Sequence, residues 1–420
     1  MEFSPFDPKH WDDPYPIYAE LRAQETLHVC DKTQAFCVTR FDEAAEVFKQ
    51  PELFSSRSGF NVLLLDTWKK VGPRDVFEML RFLVRARINP LELRGAPESI
   101  ISSDPPNHER LRQIVNRGFK PRRIAAWEGR VRELSEGYVA GLESAECFDV
   151  VEKLAHPLPM TIIAEMLGVD ASRIADFRRW STGVIDSISG SSRTGSPAGA
   201  LSNGGELLQY LRSVVAARRT QPTDDLISVL VDPSRGEPLD TQAVLLFATV
   251  LLVAGNETTT NSVGSATDLL LRNRDVLDEV TKDPSLIPNL VEETIRMESP
   301  FRFMPRQTTR DTTIRGTRIP EGSTVLVMIG SANRDERRFE DAERFDLHRD
   351  TSGHLGFGFG IHFCLGASLA RLEARVALET LVPLLHDREL CPGGAERADS
   401  YLTRGFAKLD VTRVAATAAA

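Results

Sequence analysis

One helical pattern constrains this chain more than any other feature. Asp240 opens a run that continues to about Arg272 with no proline in it. At 1.5 Å per residue such a helix is ~50 Å long, enough to cross a whole domain. Its first half is apolar nearly all round, so that half must be buried on every side. The most apolar run, Ala243 to Ala254, is too short for a bilayer span, which takes ~20 residues, so protein has to bury it. Further helical patterns fill about 123–141, 158–167, 171–188 and 205–219. A short helix is expected within residues 12–23, one over Asp42 to Lys49 capped by Asp42, and one after Asp104-Pro105-Pro106 capped by Asp104. Strands are expected at Phe36 to Thr39, around the Pro320-Glu321-Gly322 turn between Ile314 and Ile329, and as a hairpin from Tyr401 to Val414. There is no repeat and no compositional boundary. The expectation is a single domain over residues 1–420, mainly α with small β-sheets.

Composition excludes several classes. Hydrophobic residues make up 41% and charged residues 26%, as in a globular enzyme, and the net charge of −9 argues against nucleic acid as a partner. The five cysteines (Cys30, Cys37, Cys147, Cys364, Cys391) are odd in number and lack metal-cluster spacing, which suits a reducing cytoplasmic compartment. The first residues carry no basic and apolar leader, so a soluble protein without a membrane anchor is expected.

Cys364 lies in the stretch Phe357-Gly358-Phe359-Gly360-Ile361-His362-Phe363-Cys364-Leu365-Gly366, directly before an amphipathic run from Ala367 to Leu385. A sulfur at a helix N-terminus meets free N–H groups and the positive end of the dipole, which favour the thiolate. Gly360 and Gly366 lack a Cβ, so a flat group can lie against the backbone. Phe357 can cover the sulfur. A thiolate so placed suits axial ligation of haem iron. The segment resembles the haem-binding loop of the cytochrome P-450 family, Phe-Gly-x-Gly-x-His-x-Cys-x-Gly followed by Leu-Ala-Arg. Every fixed position matches, through Leu369, Ala370 and Arg371.

The resemblance implies that family's fold, with haem b buried between the long central helix and the cysteine-loop helix, and Cys364 as axial ligand beside Phe357 and Gly366. Ala254-Gly255-Asn256-Glu257-Thr258 is similar to the family's oxygen-binding helix segment. By that likeness Gly255 gives room for dioxygen and lets the helix open, and Glu257 and Thr258 are the catalytic pair that delivers protons. Glu293-Thr294-Ile295-Arg296 matches Glu-x-x-Arg, with Arg344 as the expected third member of a structural network. His108, Arg112, Arg306 and His362 stand where the family meets the two haem propionates, which require cationic donors. Val250, Val253, Ala254, Phe301, Phe303 and Phe406 are expected to line the substrate pocket, closed by residues 56–103, with entry under Ser187–Asn203. Arg302 is expected to point away from it, because an unpaired buried charge is costly; the alternative is that it reaches inward and binds a carboxylate, which would favour fatty acids.

Arg110, Arg112, Arg117, Lys120, Arg122 and Arg123 form a basic cluster in an acidic chain, readable as a solvated face or as a docking patch for an acidic electron carrier. The implied function is a monooxygenase that inserts one atom of O2 into a lipophilic substrate (a steroid, terpenoid, fatty acid or polyketide-like molecule). Electrons would come from a ferredoxin and its reductase, and the protein would be a monomer. A peroxide-driven peroxygenase and a haem-binding sensor are the alternatives.

Overall fold

The structure, a computed structural model, describes residues 2–31, 33–57, 99–189 and 197–414. Most of the stretch expected to close the pocket (58–98) and the middle of the expected entry segment (190–196) lie outside the described residues. The long helix spans Thr241–Arg272, and the Asp240 carboxylate caps it by accepting from Ala243 N–H. Helices Pro157–Met166, Ile174–Ser189, Pro197–Thr220, Ile287–Met297 and Ala367–Leu385 pack around it. By length and apolarity this helix would also pass for a membrane span. Its apolarity instead serves the largest core cluster, which takes in Leu245, Phe247, Leu252, Val263 and Leu270. Each such side chain stabilises by roughly 1.5–3 kcal/mol when fully buried.

The second half of this helix is buried despite its polar sequence. The hydroxyls of Thr260, Ser262 and Thr267 donate to the carbonyls of Asn256, Thr258 and Val263, one turn back. Back-bonding of this kind lets a hydroxyl enter a core without an unpaired polar atom.

Among the described residues, ten strands make three small sheets. They are β1 (His28–Val29), β2 (Phe36–Val38), β3 (Phe54–Ser55), β4 (Cys147–Asp149), β5 (Met304–Thr308), β6 (Thr312–Ile314), β7 (Thr317–Ile319), β8 (Thr324–Val327), β9 (Arg388–Arg397) and β10 (Phe406–Arg413). The five-stranded sheet runs β1-β2-β8-β5-β3, the three-stranded one β4-β10-β9, and β6 pairs with β7.

Several local expectations change. The tail forms only the second strand of its hairpin, because β9 starts at Arg388. Strands do flank the Pro320-Glu321-Gly322 turn as expected, and they belong to two different sheets, since β7 pairs with β6 while β8 pairs with β5 and β2. Asp42 lies inside the first turn of Phe41–Lys49 and is not its cap. Asp104 caps nothing either: the helix begins at Asn107. The Asp104 carboxylate accepts from the Ser55 hydroxyl (2.5 Å) and Ser56 N–H (2.9 Å), tying β3 to this helix start.

Candidate active site

The cysteine loop is held by its own backbone. Cys364 N–H donates to the Phe357 carbonyl at 2.9 Å, closing the loop. Gly366 ends it as the N-cap of Ala367–Leu385, and its amide points to the sulfur. A Cβ on Gly366 would meet no atom within 4 Å, so space is open beside the backbone there. Gly360 serves another purpose: its φ is +68°, and a Cβ would strike the Phe48 carbonyl oxygen at 2.5 Å. That glycine is required by packing against the end of Phe41–Lys49, not by a flat ligand.

The helix dipole does not by itself make Cys364 a thiolate. Crowding by protein atoms pushes its pKa above the ordinary thiol value, and the Gly366 amide, Arg112 and Arg371 offset this only partly. A metal that displaces the proton would supply the difference.

Around the loop, four basic side chains converge from three elements. His108 and Arg112 come from Asn107–Val115, Arg306 from β5 and His362 from the loop. The His108 and His362 rings lie 4.4 Å apart. His108 is 2% exposed and both its ring nitrogens lack a hydrogen-bond partner. Arg306 is also buried, with Nη1 donating to its neighbour's carbonyl (Pro305) and its guanidinium over the Phe48 ring. Burial lowers the pKa of all four, taking Arg306 to about 10 and His362 to about 3, where Arg306, His108 and Arg112 add repulsion. Asp104 acts the other way on His108 and Arg306, but its carboxylate is already engaged by Ser55 and Ser56. The partnerless His108 ring and the guanidinium charges of Arg112 and Arg306 fit a dianionic group such as the propionate edge of haem. Ser56, at the start of the stretch expected to close the pocket, instead meets His362 Nε2 at 3.0 Å through its hydroxyl.

Across from the loop, Val250, Val253, Ala254 and Thr258 are half-buried along one side of the long helix, whereas its following turns are buried. The Thr258 hydroxyl donates to the Ala254 carbonyl at 2.6 Å. Glu257 is buried, and its carboxylate accepts from the Thr403 hydroxyl at 2.6 Å; Thr403 also reaches Ser400 at 2.8 Å. Thr403 and Ser400 had no signal in the sequence, because they lie in the β9–β10 connection. The helix is continuous through Gly255, with no local opening. A Cβ there would come within 2.8 Å of Ile163 Cδ1, so Gly255 admits the neighbouring helix.

The pocket list separates. Phe301 is half-buried and bridges to Thr403, beside Glu257's partner. Phe303 is instead a core residue, fully buried and edge-on to Phe6 in the N-terminal cluster. Phe406 is also core: it packs on Gly264 of the long helix under the Arg397 guanidinium, 3.9 Å from its ring. Arg302 points away, donating to the Thr403 and Trp11 carbonyls.

The Glu-x-x-Arg pair is fully buried and bidentate, at 2.7 and 2.8 Å. Its third member is Arg349, not Arg344. Arg344 is exposed and is captured by Asp346 two residues on. Arg349 reaches Glu293 at 3.1 Å and donates to the Asp341 and Arg344 carbonyls, so it stitches the preceding turn to the network. Arg296 in turn donates to the Asn333 carbonyl, and the Asn333 side chain accepts from Leu355 N–H at the start of the cysteine loop. Beside it, Glu292 takes a bidentate pair from Arg371 and contacts His354, which lowers its pKa to about 2 although burial opposes this. The Arg371 guanidinium lies 4.4 Å from the Phe357 ring centre.

This loop, cationic rim and acid-bearing helix, mounted on a helical domain with small sheets, define a haem-thiolate enzyme. The comparisons agree. The family model "Cytochrome P450" matches residues 206–386. The chain is 37% identical to 6-deoxyerythronolide B hydroxylase of Saccharopolyspora erythraea, covering 88% of each. It is 34% identical to vitamin D(3) 25-hydroxylase of Pseudonocardia autotrophica, covering 97% of this chain and 95% of that one. The structure of cytochrome P450 CYP109Q5 from Chondromyces apiculatus superposes with a TM-score of 0.85 at 37% identity, covering 98% of both chains. The chain belongs to the cytochrome P450 family and is an oxidoreductase of the monooxygenase class, whose cofactor is haem b.

Proposed function

We propose that this enzyme is a soluble, cytoplasmic, monomeric hydroxylase of a lipophilic substrate, fed by a ferredoxin-type carrier and its reductase. The observation that carries the site assignment is the convergence of His108, Arg112, Arg306 and His362 beside Cys364, with the His108 ring buried and partnerless. These four would hold the propionates, and Cys364 would ligate the iron through its thiolate. Bound haem would supply the oxygen-activating chemistry. Glu257 relays protons, with the Thr403 hydroxyl donating to its carboxylate and Ser400 next in line, and Thr258 presents its hydroxyl one residue on. Val250, Val253, Ala254 and Phe301 bind the substrate by apolar burial, at ~25 cal/mol per Å². The relatives named for vitamin D(3) and 6-deoxyerythronolide B favour a substrate of that size and apolarity.

The basic cluster is smaller than its sequence implies. Arg110 pairs with Glu237, Arg123 with Asp224, and Arg117 donates to the Glu237 carbonyl, while Arg112 turns to the cysteine loop. Lys120 and Arg122 stay exposed, on and beside a short helix that packs against the cysteine-loop helix. These two are the docking charges for an acidic carrier.

The test is reconstituted turnover with NADH, a ferredoxin and its reductase, against peroxide alone, after a spectral screen for bound substrates. Ferredoxin-dependent product supports the reading. Equal product from peroxide alone would make this a peroxygenase, and ligand-induced spectral shifts without product under either condition would make it a sensor.

A further inference from the structure

The three-stranded sheet brings two cysteines together far from the haem site. Cys147 on β4 and Cys391 on β9 lie with their Sγ atoms 3.3 Å apart. Their strands are not neighbours, because both flank β10. The contact arises from an irregularity: β9 pairs Ala395 with Leu409 but Leu390 with Val411, so Cys391 to Gly394 loop out opposite Asp410. Gly393 has a φ of +70°, and a Cβ on Gly394 would come within 2.7 Å of Cys391 Cβ. The loop therefore folds Cys391 back toward Cys147. Cys147 is exposed and Cys391 half-buried.

We propose that Cys147 and Cys391 are a reversible disulfide site, closed by hydrogen peroxide or by a disulfide oxidant and reopened by thiols. With peroxide, the Cys147 thiolate attacks one oxygen, giving a sulfenic acid and one water. The Cys391 sulfur then displaces the second water, so two thiols and one peroxide yield one disulfide and two waters. With oxidised glutathione, Cys147 expels one glutathione thiol to form a mixed disulfide, and Cys391 expels the second. Cys391 takes the second role by position, since the looped-out segment holds its sulfur 3.3 Å from that of the more exposed Cys147. The sulfurs must approach by ~1.3 Å to reach a bond length of ~2.05 Å, a shift the looped-out segment can absorb.

The chain carries its own control. Cys30, just after β1, and Cys37, within β2, also lie close, at 3.5 Å, but both are 0% exposed, out of reach of oxidant in the folded protein. Closure would tie β4 to the root of the hairpin whose connecting loop carries Ser400 and Thr403, the partners of Glu257.

The test treats folded holoprotein with hydrogen peroxide and, because haem consumes peroxide, in parallel with oxidised glutathione. Remaining thiols are alkylated and mapped by mass spectrometry, and thermal midpoints are recorded before and after reduction. The expected result is a linked peptide joining Cys147 to Cys391, a loss of two hydrogens in mass, and a midpoint raised by a few degrees that reduction reverses. Cys30 and Cys37 should be alkylated only after unfolding. Cys391→Ser should instead trap glutathione on Cys147 and show no midpoint rise. Persistent alkylation of both cysteines, sulfinic acid at Cys147, disulfide-linked dimers, or a midpoint shift that survives in Cys391→Ser would each overturn the proposal.

Discussion

Glu373 on the cysteine-loop helix is fully buried against the long helix, and burial raises its pKa to about 8. The Thr259 hydroxyl favours its charged form, but no cation offsets the burial, and Oε1 has no hydrogen-bond partner. A carboxyl whose folded pKa lies above its ordinary value of 4.5 binds its proton more tightly in the folded state. Its contribution is therefore fully present below pH ~4.5 and is lost as pH rises toward ~8. At ~1.4 kcal/mol per unit, that loss is about 1 kcal/mol at pH ~5.5 and about 4 kcal/mol at pH ~8. Glu373→Gln keeps the volume and a hydrogen-bonding head but cannot ionise. Relative to wild type it should gain about 3 kcal/mol of unfolding free energy between pH ~5.5 and ~8, read by urea titration of both holoproteins at each pH. A stability difference that does not change with pH would refute the reasoning, because it would mean that Glu373 has the same proton affinity folded and unfolded.

Arg349→Ala should cost about 3–5 kcal/mol and loosen haem binding, because it removes a buried partner of Glu293, whereas Arg344→Ala should change stability by less than about 0.5 kcal/mol; equal effects in denaturant titrations would return the third place to Arg344. Thr403→Val should leave substrate-induced spectral shifts intact while diverting NADH equivalents to peroxide, as Thr258→Ala should; full coupling of product to NADH in both variants would remove the proton-delivery assignment. Cys364→Ser should lose the strongly red-shifted Soret band of the ferrous carbon-monoxide complex, and its persistence would exclude Cys364 as ligand. Neutralising Lys120 and Arg122 together should slow reduction by ferredoxin at low salt and little at high salt, since exposed charges are screened within ~10 Å at 0.1 M; wild-type rates at low salt would show a merely solvated face.

The sequence by itself determined what depends on local chemistry. The long helix, its Asp240 cap and its burial follow from the absence of proline, an acceptor at the right place and an apolar surface with no polar face. Cys364 before a helix start and the Glu293–Arg296 pair were legible because each is a short-range spacing, three residues apart in the pair. Where chain returns from far away decide contacts, the residues alone misled. Arg344 and Arg349 both follow Glu293 at long range, and only the fold of the intervening turn selects which one turns inward. Asp104 looks like a cap, but β3 arrives beside it and offers better donors. Phe303 and Phe406 are as apolar as pocket residues, and hydrophobicity cannot say which interior they enter. Thr403 is an ordinary loop threonine until the β9–β10 connection sets it against Glu257, 146 residues away in the chain. Composition and periodicity record which side chains must leave water. Which partners they meet is settled by the tertiary structure, because burial is non-directional while hydrogen bonds and ion pairs demand particular atoms at particular distances.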